Sequence, residues 1–584
     1  MNLSELGKIF ETDVLVVGSE GAGAYAAIKA MENGARAIIV TKGIISKCGA
    51  TITAYFGDWD CDSKSIKELF GLPGDTRDSP EAFFEDMVIE GKYINNQKLA
   101  EVHVREAPKR ALELAQWGIK WILIPVTPGH RYPRGLEAVP TGINMMKVFK
   151  KKLKDLGAEL VEDTMITDLL TAGGRIAGAV GISIRTGEFL IFKAKAVILA
   201  TGGWQRIYRY TDSPEELTGD GQAMAYRAGA ELTDMEMSQF LPACVWPPSI
   251  EGVLFPEFMG TDLGAWFLNR GGTRFLTAWD PKRMERTTRD IRCIAIMNEV
   301  LEGRGGPHGG IFLSFKHIPD NMIDYFAEWN NVPEWKYQGL YFADMIKEIK
   351  KGQAIELAPV SHFCIGGIKI NEKCETNIPG LYSAGEATGG LHGANRISGN
   401  ALAEVCVFGA RAGEFAAEYV KKGEVQEVDV AQAELLKQKV FQYLKHNEGI
   451  KPIGLKQKIQ QMAWAKVGVI RNGTNLKEAI DEIERTKEVL NKIACASQSS
   501  ELNREWIEAI QIENMLQVLE AMARSSLIRT ESRGAHYRKD YPFMDNDNWL
   551  RNTVIQQIDG QMHVTTHPIV ITRLTPPKGV KPVP

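Results

Sequence analysis

Residues 13–40 constrain the fold more than any other stretch of this chain. Asp13-Val-Leu-Val-Val-Gly is a short apolar run ending in glycine. Ala24 to Asn33 is alanine-rich and helical in character, Gly34 interrupts it, and Ala37-Ile-Ile-Val reads as a second strand. A strand, a helix and a second strand within about 30 residues make a βαβ unit of the size expected for a dinucleotide-binding half. Between strand and helix lies Val17-Gly-Ser-Glu-Gly-Ala-Gly23, whose amides and helix N-terminus offer partial positive charge to a pyrophosphate. Glu20 stands where the G-x-G-x-x-G pattern has its second glycine. Its carboxylate is therefore expected to turn away from the phosphates, with Gly21 taking over part of that role.

With 584 residues the chain exceeds the size of a single core, and two to four domains are expected. A net charge of −4 gives no electrostatic argument for nucleic acid or an anionic membrane surface. No run approaches the roughly 20 apolar residues that span a bilayer, and the first strand, expected to begin near Asp13, leaves no room for a signal peptide. Cytoplasmic residence is the expectation, with any membrane contact made only through a partner. The eight cysteines are scattered, Cys48 beside the glycine loop among them, and none forms a Cys-x-x-Cys pair. Neither zinc nor an iron–sulfur cluster thus has a sequence-local ligand set, and no metal site is predicted.

Residues 80–118 read as helical and 158–200 as strands, with turns at Gly173-Gly174 and Arg185-Thr-Gly187. Between about 236 and 350 the pattern is irregular and rich in Pro, Trp and Gly, which suggests an inserted domain. The parallel sheet is expected to resume near Gly366-Gly-Ile-Lys-Ile and to close at Gly380-Leu-Tyr-Ser-Ala-Gly-Glu386. From about 430 to 528 the pattern is helical, with Leu476, Ile480, Ile483 and Leu490 on one face behind a predicted N-cap at Asn475. Residues 541–584 hold strand-like pieces and a Pro/Lys tail.

Carboxylates on short loops beside a nucleotide fold commonly hold ribose or ribityl hydroxyls. Thr218-Gly-Asp-Gly221 and Ser383-Ala-Gly-Glu386 supply two, and Ala200-Thr-Gly-Gly203 ends a further strand in glycine. His392-Gly-Ala-Asn-Arg-Ile-Ser-Gly-Asn400 follows His362-Phe-Cys-Ile-Gly-Gly. This brings two imidazoles and a guanidinium among glycines that admit close backbone approach, and the planar guanidinium suits a carboxylate.

Together with Asn269-Arg-Gly-Gly-Thr-Arg-Phe, Thr288-Arg-Asp290 and Glu531-Ser-Arg-Gly-Ala-His536, these segments resemble the flavoprotein subunit of the succinate dehydrogenase/fumarate reductase family along nearly the whole chain. The resemblance implies an α/β fold: a Rossmann-like FAD-binding domain (1–235 and 351–425) with an inserted α+β capping domain (236–350). A helical domain (426–540) and a C-terminal segment (541–584) follow. The implied cofactor contacts are Gly18, Gly21, Ala22, Gly23, Thr41, Lys42, Ala50, Thr51, Asp220, Glu386, Asn400 and Leu402. Arg289 matches the family's proton-transferring arginine, and His362 and Arg396 match residues gripping a substrate carboxylate, while hydride passes between flavin N5 and a conjugated carbon–carbon double bond. The helix opening near Ala401-Leu402 is expected to point its N-terminus at the flavin, with Ala401 where the family often has serine.

Three departures qualify this picture. Ala50 aligns with the histidine that respiratory members attach to FAD, so non-covalent FAD and a lower reduction potential are expected. Phe240-Leu-Pro242 stands for the family's Phe-His-Pro, and leucine neither donates a hydrogen bond nor carries charge. The family's Thr-Glu pair before the capping domain's glycine run has no clear match, and Glu257 lies nearby. Fumarate or succinate is the default substrate, against a monocarboxylate, aryl or CoA-linked enoate, or a sulfur oxyanion as in adenylylsulfate reductases. A non-catalytic electron-relay flavoprotein is the alternative of another class. One dinucleotide fingerprint and no cluster ligands point to a separate iron–sulfur protein for electrons.

Overall fold

The structure is a computed structural model that describes residues 2–54, 58–139, 141–252, 263–329, 346–347, 349–352, 355–423 and 426–583. Strand β1 (Lys8–Val17) runs through the glycine loop into helix α1 (Gly21–Glu32) and on to β2 (Ala37–Val40). β1 begins at Lys8 rather than near Asp13. Its first residues, Lys8 to Asp13, are mostly polar, so the apolar run alone does not reveal them, yet Ile9 and Phe10 stand opposite Ile191 and Phe192 and the two Phe rings stack at 4.9 Å. Strands β3 (Glu159–Val161), β4 (Thr164–Ala172), β5 (Arg175–Ser183) and β6 (Phe189–Leu199) follow.

These strands make one sheet in the order β3-β2-β1-β6-β5-β4. The β3-β2-β1-β6 half is parallel, whereas β4, β5 and β6 form an antiparallel meander. Val14–Val17 and Ala196–Leu199 are buried without alternation, as expected of central parallel strands covered on both faces.

After helix α2 (Asp220–Arg227) the chain enters the inserted region. Strands β7 (Ser238–Trp246), β8 (Trp266–Leu268), β9 (Ile311–Ser314) and β10 (Ile355–Cys364) form an antiparallel sheet in the order β7-β10-β9-β8, with helix α3 (Arg289–Leu301) alongside. Phe267, Leu276, Ile296, Ile311 and Leu357 belong to its separate core. This sheet extends through Cys364, past the boundary expected at 350. The parallel sheet does not resume at Gly366 either: Gly367–Lys369 pairs with Leu232–Thr233 and Thr388–Gly389 in another sheet. The return comes at β11 (Leu381–Ser383), which takes the C-terminal half of the β6 edge. β5 occupies the other half, so one long strand serves both neighbours.

Helix α4 (Asn400–Lys422) lies along α1. A Cβ on Gly409 would stand 2.6 Å from the Ala22 carbonyl oxygen and one on Gly413 2.1 Å from that of Ala26, so glycine lets the two backbones touch. The helical region contains α5 (Val430–Phe441), α6 (Pro452–Lys466), α7 (Gly473–Lys487) and α8 (Arg504–Ile528). Asn472, not Asn475, caps α7: its side chain accepts from the Asn475 N–H at 2.9 Å. Both asparagines suit a cap, and the extended backbone at Asn472 (φ −151°) decides between them. A hairpin of β12 (Arg551–Ile558) and β13 (Gln561–Pro568) follows, and β12 joins the Leu232 sheet. Among the described residues no helix is long and apolar enough to cross a membrane.

Candidate active site

One cavity runs from the C-terminal end of β1 to the inner edge of the capping sheet. Gly18, Gly21 and Ala22 line it, as do Thr41 and Lys42 at the end of β2, and Ala50 and Thr51. Asp220, Glu386 and Leu402 line it as well. Gly18 adopts φ +105°, and a Cβ there would sit 2.1 Å from the Ala200 carbonyl oxygen. Thr51 Oγ1 accepts from the Gly21 N–H at 3.1 Å, linking the helix start to the following loop. Gly23 is a nucleotide-loop residue without a place on the cavity wall. A Cβ on it would meet the Gly18 carbonyl oxygen at 1.9 Å, so its part is to let helix and strand close on each other. Gly18→Ala should cost at least about 10² in FAD affinity through the positive φ and that clash. Flavin absorbance per mole of purified variant checks this, and wild-type content would contradict it.

Lys42, Asp220 and Glu386 are tightly partnered. Lys42 Nζ donates to Asp220 at 2.6 Å and to the Glu216 carbonyl at 2.7 Å. Asn514 on α8 donates to the other Asp220 oxygen at 2.7 Å. Gln205 and the Cys364 N–H both donate to Glu386 Oε1, the latter at 2.9 Å. Burial, with the Glu404 charge behind it, pushes the Glu386 carboxyl up to about 8.

At the capping end, Arg289, His362 and Arg396 share this same cavity although the chain separates them widely. Arg289 opens α3 and its Nη2 lies 3.4 Å from Ser398 Oγ. His362 sits near the end of β10, where its Nδ1 stands 2.7 Å from Asp212 Oδ2 and its Nε2 3.1 Å from Arg396 Nη2. A carboxylate accepts only and a guanidinium donates only. The ring therefore carries its proton on Nδ1 and accepts from Arg396 at Nε2. Burial, and then the charges of Arg289 and Arg396, hold the imidazole below its ordinary value, consistent with this neutral form. The Arg396 guanidinium lies 4.6 Å over the Phe363 ring, and its Nε has no hydrogen-bond partner among the described residues. Burial and Arg289 push Arg396 down to about 9, which leaves it cationic at neutral pH.

Three sequence expectations differ from this arrangement. Asn400 does not line the cavity: its Oδ1 faces His103 Nε2 at 3.2 Å, beneath the start of α4. The second imidazole, His392, is buried with its Nε2 2.9 Å from Glu404 and is likewise off the wall. Leu241 is fully buried in an apolar cluster with Ala243 and Val360 against Tyr210 and is not a lining residue. Helix α4 opens one residue before Ala401, after Gly399 at φ +82°, and Ser398, Gly399, Ala401 and Leu402 do face the cavity. Glu257 lies outside the described residues.

Asp212 escaped sequence reading because it sits in an irregular loop with no motif. The fold places it through β10: the Ser361 N–H donates to the Tyr210 carbonyl at 2.9 Å, and the Thr211 hydroxyl donates to the Ser361 carbonyl at 2.8 Å. Glu216 lines the cavity from the same loop and was missed for the same reason.

The wall carries polar atoms that have no partner among the described residues, Thr201 Oγ1, Glu20 Oε2 and Arg396 Nε, beside glycines such as Gly18 and Gly21 that present bare backbone. That lining fits a dinucleotide with a flavin reaching the cationic end. The chain matches the model of an FAD binding domain over residues 13–402 and that of the fumarate reductase flavoprotein C-terminus over residues 456–581. It is an FAD-dependent oxidoreductase.

The matching polypeptide of the fumarate reductase (CoM/CoB) from Methanothermobacter marburgensis is 35% identical over 94% of this chain and 98% of its own length. The Mycobacterium smegmatis Sdh1 complex with UQ1 matches at 33% identity and TM-score 0.85, covering 97% of this chain and 96% of that one. A FrdA variant of E. coli quinol fumarate reductase matches at 27% and TM-score 0.85, covering 98% and 99%. The chain belongs to the succinate dehydrogenase/fumarate reductase flavoprotein family.

Proposed function

We propose that this protein is the catalytic flavoprotein of a complex that transfers hydride between FAD and a carbon–carbon double bond conjugated to a carboxylate. One observation carries the reading: Arg289, His362 and Arg396 share a cavity with the nucleotide loop. Bound FAD supplies the two-electron chemistry. Arg396 grips the substrate carboxylate, with an N–H to spare and an aromatic ring beneath it. Asp212 fixes His362, which in turn fixes Arg396, so the grip is set before substrate arrives. Arg289 holds the proton that reaches the substrate carbon. Electrons pass to or from an iron–sulfur partner, since the sequence has one dinucleotide fingerprint and no Cys-x-x-Cys pair.

Fumarate is the default substrate. A second reading, an enoate with one free carboxylate, draws on Leu241: the position where the family has a carboxylate-binding histidine is packed into an apolar cluster. Chemically reduced enzyme assayed against fumarate, crotonate and cinnamate separates the two. Turnover of crotonate or cinnamate without fumarate would establish the second reading, and no turnover of any would leave an electron-relay role.

FAD is held without a covalent bond. Ala50 has no nucleophile, and the nearby Cys48 thiol is pushed up to about 12 by burial and by Glu20, so almost none is thiolate at neutral pH. Acid precipitation should leave the yellow flavin in the supernatant; flavin pelleting with protein would contradict this.

A further inference from the structure

Glu20 occupies the cap position of α1, in the part of the loop where a second glycine would leave only backbone. Its carboxyl group is folded onto the loop 48–52. Oε1 lies 4.0 Å from Cys48 Sγ, and the carboxylate accepts from the Ile52 N–H. A Cβ on Gly49, itself at φ +78°, would stand 2.2 Å from Glu20 Cγ, so that loop is shaped to receive this side chain. Oε2 is buried and finds no partner among the described residues. Glu216, on the same cavity, also has a buried Oε2 without a partner.

Lys42, a cation of the same wall, is already committed, since it is bound to Asp220. Two carboxylates with no ion pair among the described residues thus share the cavity end that must accept a doubly anionic pyrophosphate. Both ionised beside that group would be strongly repulsive in a site shielded from water. We propose that Glu20 takes part in FAD binding as a neutral carboxylic acid, donating its proton to the pyrophosphate, so that cofactor capture is coupled to its protonation.

Each element around Glu20 bears on this coupling. The N-terminus of α1 and the Ile52 N–H favour the ionised form. Burial and Glu216 oppose it and prevail, pushing the carboxyl up to about 8. Cys48 stays a neutral thiol, and Thr41 offers only a hydroxyl, 3.8 Å from its sulfur. The sign follows by linkage. A bound pyrophosphate raises the proton affinity of Glu20 further, so FAD affinity is level below about pH 8 and falls above it, by up to tenfold per pH unit.

The test is FAD release from diluted holoenzyme between pH 6 and 9.5, read as free-flavin fluorescence. For the natural protein the dissociation constant should rise about fivefold from pH 8 to pH 9 and more steeply beyond. Glu20→Gln should bind FAD with no such rise, because the amide donates a hydrogen bond at every pH. Glu20→Gly should remove the rise too, which keeps the test open if the amide variant folds poorly. Glu386→Gln, which removes the other cavity carboxyl placed near 8, should keep the natural slope. The proposal is overturned by a flat natural profile, by the same slope in both Glu20 variants, or by loss of the slope in Glu386→Gln. Affinity that rises with pH would also overturn it, since Glu20 would then act ionised, accepting from ribose hydroxyls.

Discussion

Arg289→Gln is expected to lower kcat by about 10³–10⁴-fold while FAD remains bound at full stoichiometry. Positioned proton transfer contributes about 10²–10⁴, and the cation adjacent to a developing enolate-like charge adds to it. Arg289 sits on the capping helix α3, away from the glycine loop, so its loss does not touch the cofactor contacts. Its charge also helps keep His362 neutral, and removing it should let the imidazole titrate higher. Turnover of reduced enzyme with the preferred enoate, together with the flavin spectrum of the same preparation, decides the matter. A kcat within tenfold of the natural enzyme would refute the proton-transfer role. A large rise in KM with kcat unchanged would instead assign Arg289 to substrate binding alone.

The parts of this molecule legible in the sequence are those in which neighbouring residues determine one another. The βαβ unit is such a case: an apolar run, a glycine turn and an alanine-rich helix are local signals, and the structure reproduces them. The assignment of Gly366 to the parallel sheet failed because Gly367–Lys369 is a three-residue strand whose partners, Leu232–Thr233 and Thr388–Gly389, are set by tertiary packing. Arg289, His362 and Arg396 were found through motif resemblance, and nothing in their spacing shows that they meet. Asp212 has neither motif nor periodicity, and its role appears only when β10 bonds the 210–212 loop. His392 and Asn400 show the converse. Both lie in conspicuous motifs, yet they support the start of α4 from beneath, through Glu404 and His103.

The late motif Glu531-Ser-Arg-Gly-Ala-His536 makes the second large prediction: Glu531→Gln should destabilise the holoprotein by about 3–5 kcal/mol. Glu531 is fully buried and holds two guanidinium groups, Arg529 at 2.9 Å and Arg533 at 2.7 Å, and it accepts the Asp545 N–H at 2.8 Å. An amide keeps the volume but leaves two buried cations short of one counter-charge, since Glu236 serves only Arg529 among them, at 2.7 Å. Measured against the 5–15 kcal/mol typical of native proteins, the loss is large. It also reaches the active site. Arg533 donates to the Lys92 carbonyl at 2.7 Å, and Ala535 N–H donates to the Ala394 carbonyl at 2.8 Å, two residues before Arg396. Denaturant midpoints should fall with the m-value unchanged, and activity should decline before global unfolding. Replacing Glu531 and Arg533 together by Leu and Met should recover part of the loss, because no unpaired charge remains at that pair. A single-variant midpoint equal to the natural one would show that the cluster adds nothing to stability, and a double variant weaker than the single would show that packing, not charge pairing, holds it.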